Sequence, residues 1–146
     1  MNELLKEVKD INQEACVSII LNTNRSKPDN LNDPIALKNL VKNAVDRLNK
    51  DYDKHFVAPI IENINQIVKS IDHLYNLDSL VIFANNNFAK YTRLSIKVED
   101  RVTISTTFAT RDLVRSMNND SVYYILVLNQ DYARLIEANN NQVIEE

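Results

Sequence analysis

Two groups of cations in this chain have the type and spacing to hold phosphates. Arg25 and Lys27 follow the apolar stretch Cys16 to Leu21, inside a segment rich in Asn, Ser, Pro and Asp. That composition reads as a loop, and loops presented by a rigid scaffold are where binding residues concentrate. Two cations there suit RNA phosphate contacts, which position a protein without reading sequence. They suit an ordinary solvated loop equally well. Lys50, Lys54 and His55 sit where two long helical patterns meet. An imidazole there has a face able to stack on an unpaired base, and histidine is the side chain that changes charge near neutral pH. A surface histidine at a helix start is the plain alternative.

A third basic series runs through Lys90, Arg93 and Lys97 and on to Arg101, Arg111 and Arg115. It reads either as a phosphate-binding face or as the charge that keeps an edge strand from pairing with another chain. The other reactive residue types carry less. Cys16 opens an apolar strand and reads as a small core residue, with no His or acid placed by sequence to activate it. His55 and His73 lack the company a zinc site needs. His73 is expected near the end of the second long helix, where a cation complements the dipole. The pairs Asp51/Asp53 and Glu145/Glu146 give no acid–base chemistry without a pocket. The expectation is therefore no catalytic residue, no metal and no cofactor.

Composition sets the frame for these residues. The chain has 146 residues, 45% of them hydrophobic and 25% charged, which are globular values for one domain with a real core. Its net charge is −3 and its pI about 5.4. A domain that binds nucleic acid unaided usually carries a basic excess, so any RNA contact here must come from a local patch or a neighbouring domain. Glycine is absent, where ordinary usage would supply roughly ten. The Walker loop, the dinucleotide fingerprint and the nucleophile elbow all need glycine and are excluded. Asparagine is expected to serve at turns such as Asn85-Asn86-Asn87, Asn118-Asn119 and Asn139-Asn140-Asn141, because it tolerates positive φ. The asparagine excess itself reads as base composition of the gene. No apolar run approaches the roughly 18 residues of a spanning helix. The opening Met1-Asn2-Glu3-Leu4-Leu5-Lys6 lacks a secretory signal pattern, and one cysteine builds no disulfide framework. A cytoplasmic protein without membrane contact is expected.

The elements follow from periodicity. Glu3 to Asn12 reads as a short amphipathic helix through Leu4, Leu5, Val8 and Ile11. Cys16 to Leu21 reads as a strand buried on both faces, and Asn22 to Asn32 as a loop. Asp33 is expected to cap a helix with Pro34 at its first position and an apolar stripe of Leu37, Leu40, Val41, Ala44 and Leu48. A second helix is expected to begin near His55 to Ala58, with Pro59 in its first turn and a stripe from Ile60 to Leu74. The Asp51 to Lys54 segment makes the two an antiparallel pair or one sharply kinked helix. Ser79 to Ala84 and Phe88 to Ile96 read as strands joined by the asparagine turn. Arg101 to Ser105 reads as a short strand and Thr110 to Met117 as a single helical step. Val122 to Leu128 (VYYILVL) is expected to be a central strand. Tyr132 to Ala138 and Gln142 to Ile144 read as arms of a further hairpin. The class is α+β, a mixed β-sheet packed against two long helices.

Taken in order, these segments resemble the bacterial members of the archaeo-eukaryotic release-factor superfamily, the relatives of the class-1 eukaryotic release factor and of Pelota. Three anchors carry the likeness. The first is Val17-Ser18-Ile19 with Asp33-Pro34-Ile35, continuing through Leu37-Lys38-Asn39-Leu40. The second is the helix pair followed by Leu80-Val81-Ile82-Phe83. The third is Tyr123-Tyr124-Ile125-Leu126-Val127-Leu128-Asn129-Gln130 with Arg134-Leu135-Ile136-Glu137-Ala138, a segment that opens the second domain in that family. The resemblance implies an N-terminal domain over residues 1–120, with 121–146 a closing strand and the start of a second domain, and a chain that is the first part of a longer protein. It also implies a non-catalytic protein of the ribosomal A site, of hibernation or rescue type, whose partners are rRNA and an elongation factor. On this reading Arg25, Lys27, Lys50, Lys54 and His55 are the RNA-contacting residues. Two departures shape the expectation. The Gly-Gly-Gln loop of true release factors is absent, since the chain has no glycine. The helix junction reads Asp51-Tyr52-Asp53-Lys54-His55-Phe56 where eukaryotic factors carry Asn-Ile-Lys-Ser, so stop-codon reading is not expected. The alternative is a protein-interaction module unrelated to the ribosome.

Overall fold

The computed structural model describes residues 2–119, 121–139 and 143–145. Helix α1 (Asn2–Val8) leads into strand β1 (Cys16–Asn22). A 3-10 turn (Asp29–Asn32) precedes the long helices α2 (Asp33–Asp51) and α3 (Lys54–Ser70), and a second 3-10 turn (His73–Tyr75) follows them. Strands β2 (Ser79–Ala84), β3 (Ala89–Leu94) and β4 (Arg101–Ser105) come next, then helix α4 (Arg111–Asn118). Strands β5 (Val122–Leu128), β6 (Ala133–Asn139) and β7 (Val143–Glu145) complete the described chain.

The first four strands form one sheet in the order β3-β2-β1-β4. Every pairing in it is antiparallel, with Ile19 opposite Ile82 and Val102. The α+β class is as expected, but the sheet is not mixed. The reason lies in the connection between β1 and β2. One crossover helix would return the chain to the start of β1 and give a parallel neighbour. Here α2 runs away from the end where β1 stops and α3 runs back, so β2 re-enters at that same end and must be antiparallel.

Helices cover both faces of this sheet, which explains why β1 and β2 read as continuous apolar runs rather than alternating ones. On one face Val17, Ile19, Leu21, Leu80 and Ile82 pack against Leu37, Ala44 and Leu48 of α2 and Val57, Ile60 and Ile64 of α3. On the other, Cys16, Ile20, Val81 and Phe83 pack against Val8 of α1, Leu113 of α4 and Phe108. The Phe83 and Phe108 rings sit 5.2 Å apart between centroids, tilted by 59°, a geometry aromatic pairs favour.

Several local expectations are corrected. Asp33 is the first residue of α2 and not its cap; Asn32 holds the cap position, with no side-chain cap bond. The preceding 3-10 turn has already put the backbone into helical dihedrals there, which frees the Asp33 carboxylate for other partners. Pro59 lies inside α3, in its second turn. Leu74 leaves the helical stripe for the 3-10 turn and is 60% exposed. The segment expected as one helical step, Thr110 to Met117, is the eight-residue helix α4 (Arg111–Asn118) with Thr110 at its cap position. No described residue has positive φ, so the asparagines work through their side chains. Asn85 Oδ1 accepts from the Asn87 N–H at 2.8 Å, and the β2–β3 turn closes with the Asn85 N–H on the Phe88 carbonyl.

Val122 to Leu128 is not a central strand of the main sheet. It pairs with β6, and β6 with β7, in a separate three-stranded antiparallel sheet. Tyr124, Leu126, Leu128 and Leu135 there are all more than half exposed. β-branched and aromatic content reports strand propensity, not strand position. Both flanks of the β1–β2 pair are already taken by β4 and β3. The boundary expected at residue 120, the turn at Asn140 and Asn141, the strand start at Gln142 and the terminal Glu146 lie outside the described residues.

Candidate nucleic-acid interface

At the end of the sheet where β1 stops and β4 starts, cations and carboxylates are interleaved. The loops there are knitted together by backbone and short polar side chains. The Thr23 N–H donates to the Asp78 carbonyl at 2.9 Å, and the Thr23 hydroxyl to the Leu77 carbonyl at 2.7 Å. The Asn22 N–H donates to Asp100 Oδ1 at 2.7 Å. Arg25 lies on this frame and grips Asp78 with two bonds, Nε to Oδ1 at 2.9 Å and Nη2 to Oδ2 at 3.0 Å. That grip holds the Asp78 carboxyl below the ordinary carboxylate range, with the Lys97 charge adding to it. Lys27 is exposed in the loop that follows, next to a cis bond to Pro28.

Beside Asp78, Lys97 lines an open cavity of about 500 Å³ together with Val98, Glu99, Arg111, Asp112 and Arg115. At its base the Asp112 side chain is 1% exposed. Asp112 Oδ2 accepts from Arg101 Nη2, and Oδ1 from Arg115 Nη1 at 2.7 Å, while Arg111 Nε lies 4.0 Å away. Burial pushes the Asp112 carboxyl up, but the bonds from Arg101 and Arg115 and the nearby charges outweigh it and hold the group below its ordinary value. A buried carboxylate is tolerated only when paired and hydrogen-bonded in this way.

The other predicted cations occupy the far end of the molecule. Lys50 closes α2, Lys54 opens α3, and His55 follows it; all three are exposed. They make no ion pair with any described residue. Tyr52 and Phe56 stack at 5.6 Å in this junction. The Asn24 N–H and Nδ2 both donate to the Asp33 carboxylate at 2.9 Å, which ties the start of α2 to the Arg25 loop. Lys50 is then about 25 Å away along the helix, at 1.5 Å per residue. The structure thus places Arg25 on its Asp78 anchor at one end of α2, apart from Lys50, Lys54 and His55 at the other.

The remaining candidates settle into structural roles. Lys90 pairs with Glu7 at 2.6 Å, and Arg93 donates to the Asp72 carbonyl at 2.8 Å over the Tyr91 ring. Cys16 is fully buried and its thiol pKa is raised by that burial. His73 is no helix-terminal cation. Burial pushes its pKa down, and its Nδ1 lies 2.9 Å from Asn76 Nδ2, which also donates to Asp33 Oδ2 at 2.9 Å. With the Asn76 amide N–H as donor, Nδ1 is the acceptor, a role that the tautomer with its proton on Nε2 fills. Among the described residues no three His, Cys, Asp or Glu side chains group as metal ligands. Among the described residues no helix is long and apolar enough to cross a membrane.

Sequence reasoning missed the organising role of Asp78 and Asp112. Asp112 had one local signal, its spacing of three from Arg115 on a helical segment. Its bond to Arg101 and the Asp78–Arg25 pair, 53 residues apart, had none. No family model and no curated protein sequence matches this chain.

Proposed function

We propose that this chain is a non-catalytic, release-factor-like domain that occupies the ribosomal A site of idle or stalled ribosomes, in hibernation or rescue. The observation that carries the reading is the wording of two segments, Val17-Ser18-Ile19 with Asp33-Pro34-Ile35 through Leu40, and Tyr123 through Gln130 with Arg134 through Ala138. Exposed cations at both ends of the long helices support it, because phosphate neutralisation drives association with rRNA even in a chain of net charge −3. Lys27, Lys50, Lys54 and His55 contact rRNA on this reading, and Arg25 contributes from its Asp78 anchor. The partners are the ribosome and an elongation factor, and the place of action is the cytoplasm. The junction Asp51 to Phe56 holds the ribosome without reading a stop codon.

The test is co-sedimentation of the full chain with ribosomes from growing and stationary cells at low and high salt. Pelleting that weakens with salt, and that falls in Lys50→Gln/Lys54→Gln, is expected. Absence from the pellet in both growth states would remove the ribosome from the account. A second reading, a protein-interaction module, draws on the exposed apolar side chains of β5 and β6. It gains if the chain stays ribosome-free in lysate and elutes with a defined protein partner.

A further inference from the structure

We infer that the cavity between the β3–β4 loop and α4 is a phosphate-group site in which Lys97, Arg111 and Arg115 hold the ligand and Asp112 positions the arginines. The inference deepens the ribosome reading and rests on it for the macromolecule concerned, while the phosphate chemistry stands on this geometry alone.

Charge comes first. Three cations, Lys97, Arg111 and Arg115, line the cavity against two carboxylates, Glu99 and Asp112, which leaves one positive charge. Asp112 has both oxygens occupied by Arg101 and Arg115. Holding that buried carboxylate needs no more than these two partners. Lys97 and Arg111 are surplus to it. Lys97 forms no hydrogen bond or ion pair with a described residue, and the Arg111 side chain is 73% exposed.

Geometry comes next. A guanidinium anchored through one nitrogen is a preorganised fork. Asp112 takes only Nη1 of Arg115 and leaves its other N–H groups for a ligand. Arginine matches the oxygens of a phosphate bidentately, and fixing the side chain beforehand lowers the entropy lost on binding. A volume of about 500 Å³ lies in the size range of ligand pockets. Ligand pockets are mostly apolar, whereas charged side chains line this one, and an anion is the ligand that such a wall selects. On the ribosome reading the phosphate group belongs to the backbone of single-stranded RNA.

The experiment measures anisotropy of a short fluorescein-labelled single-stranded RNA with the full chain, between about 50 and 200 mM salt. Lys97→Gln/Arg111→Gln should weaken binding about tenfold and lower the salt slope by about 1.4, the value for two single-strand phosphate contacts. Its thermal melt should match the wild type, since both side chains are exposed, and Lys97→Arg should bind as the wild type does. Inorganic phosphate at millimolar concentration should leave the RNA bound; efficient displacement would assign the site to free phosphate instead. An unchanged affinity and slope in the double variant, or no RNA binding by the wild type, would overturn the site. The ribosome reading is separable. Ribosome pelleting that ignores the double variant sinks this site and keeps that function. Pocket-dependent RNA binding without ribosome pelleting does the reverse.

Discussion

His73 gives the molecule a titration with a definite sign. Its folded pKa is lowered, chiefly by burial, so the unfolded chain binds more protons than the folded one once pH drops below the ordinary histidine range near 6.5. The stabilisation is complete above that value and is lost as pH falls through the folded pKa. Urea titrations at steps between pH 7.5 and 5 should show stability declining, and His73→Gln should flatten the decline over that window. The Asp78 and Asp112 carboxyls are lowered instead. Their contribution is present above the ordinary aspartate value near 3.8 and is lost as pH falls through their lowered values, so the two effects do not overlap. Asp112→Asn should cost about 1–3 kcal/mol, the usual loss when buried hydrogen-bonding groups lose a partner. Cys16 makes a complementary forecast. Buried, and with its thiol pKa raised, it should react with a thiol reagent in the native state far more slowly than in urea; equal rates would mean the β1 start is open.

Among the elements, stability belongs to the sheet that two helix layers enclose. Ile19→Ala, in the middle of β1 and 1% exposed, should cost about 2–5 kcal/mol. Leu126→Ala in β5, 61% exposed, should stay within about 0.5 kcal/mol. Native-state hydrogen exchange should agree, with β1 and β2 amides opening only on global unfolding and β5 to β7 amides exchanging earlier. Uniform protection across both sheets would contradict this division. The same contrast marks what the sequence could tell. The stripes Leu37-Ala44-Leu48 and Ile60-Ile64 are local periodicities, and they were legible because helix burial is written at i, i+3 and i+4. The alternation inside β1 was hidden by burial on both faces. Sheet direction was not legible either, since it depends on whether one helix or two lie between strands. The VYYILVL run was assigned the wrong place for a related reason: apolar content fixes that a strand forms, not which strand it joins.

For the molecule as a whole, an acidic chain presents cations in two places, at opposite ends of α2. The cations at the helix junction were legible from spacing alone. The Lys97 to Arg115 cluster was visible as a series of charges but not as a pocket, because its floor is Asp112 of α4, held by Arg101 on strand β4. This arrangement makes binding depend on salt and orientation more than on total charge. Raising salt should lower ribosome affinity steeply while leaving the thermal melt nearly unchanged, since the ion pairs of Arg25 and Lys90 are partly exposed and such pairs contribute only about 0–1 kcal/mol each. Substituting Arg25 is a poor probe of contact, because it also releases Asp78. Lys27, Lys50 and Lys54 are the cleaner choices.

Chemical footprinting of rRNA on ribosomes saturated with the full chain reads out the proposed occupancy of the A site. Decoding-centre nucleotides should be protected, and the protection should be lost with Lys50→Gln/Lys54→Gln. Protection confined to other regions of the ribosome, or a footprint indistinguishable from empty ribosomes, would contradict it.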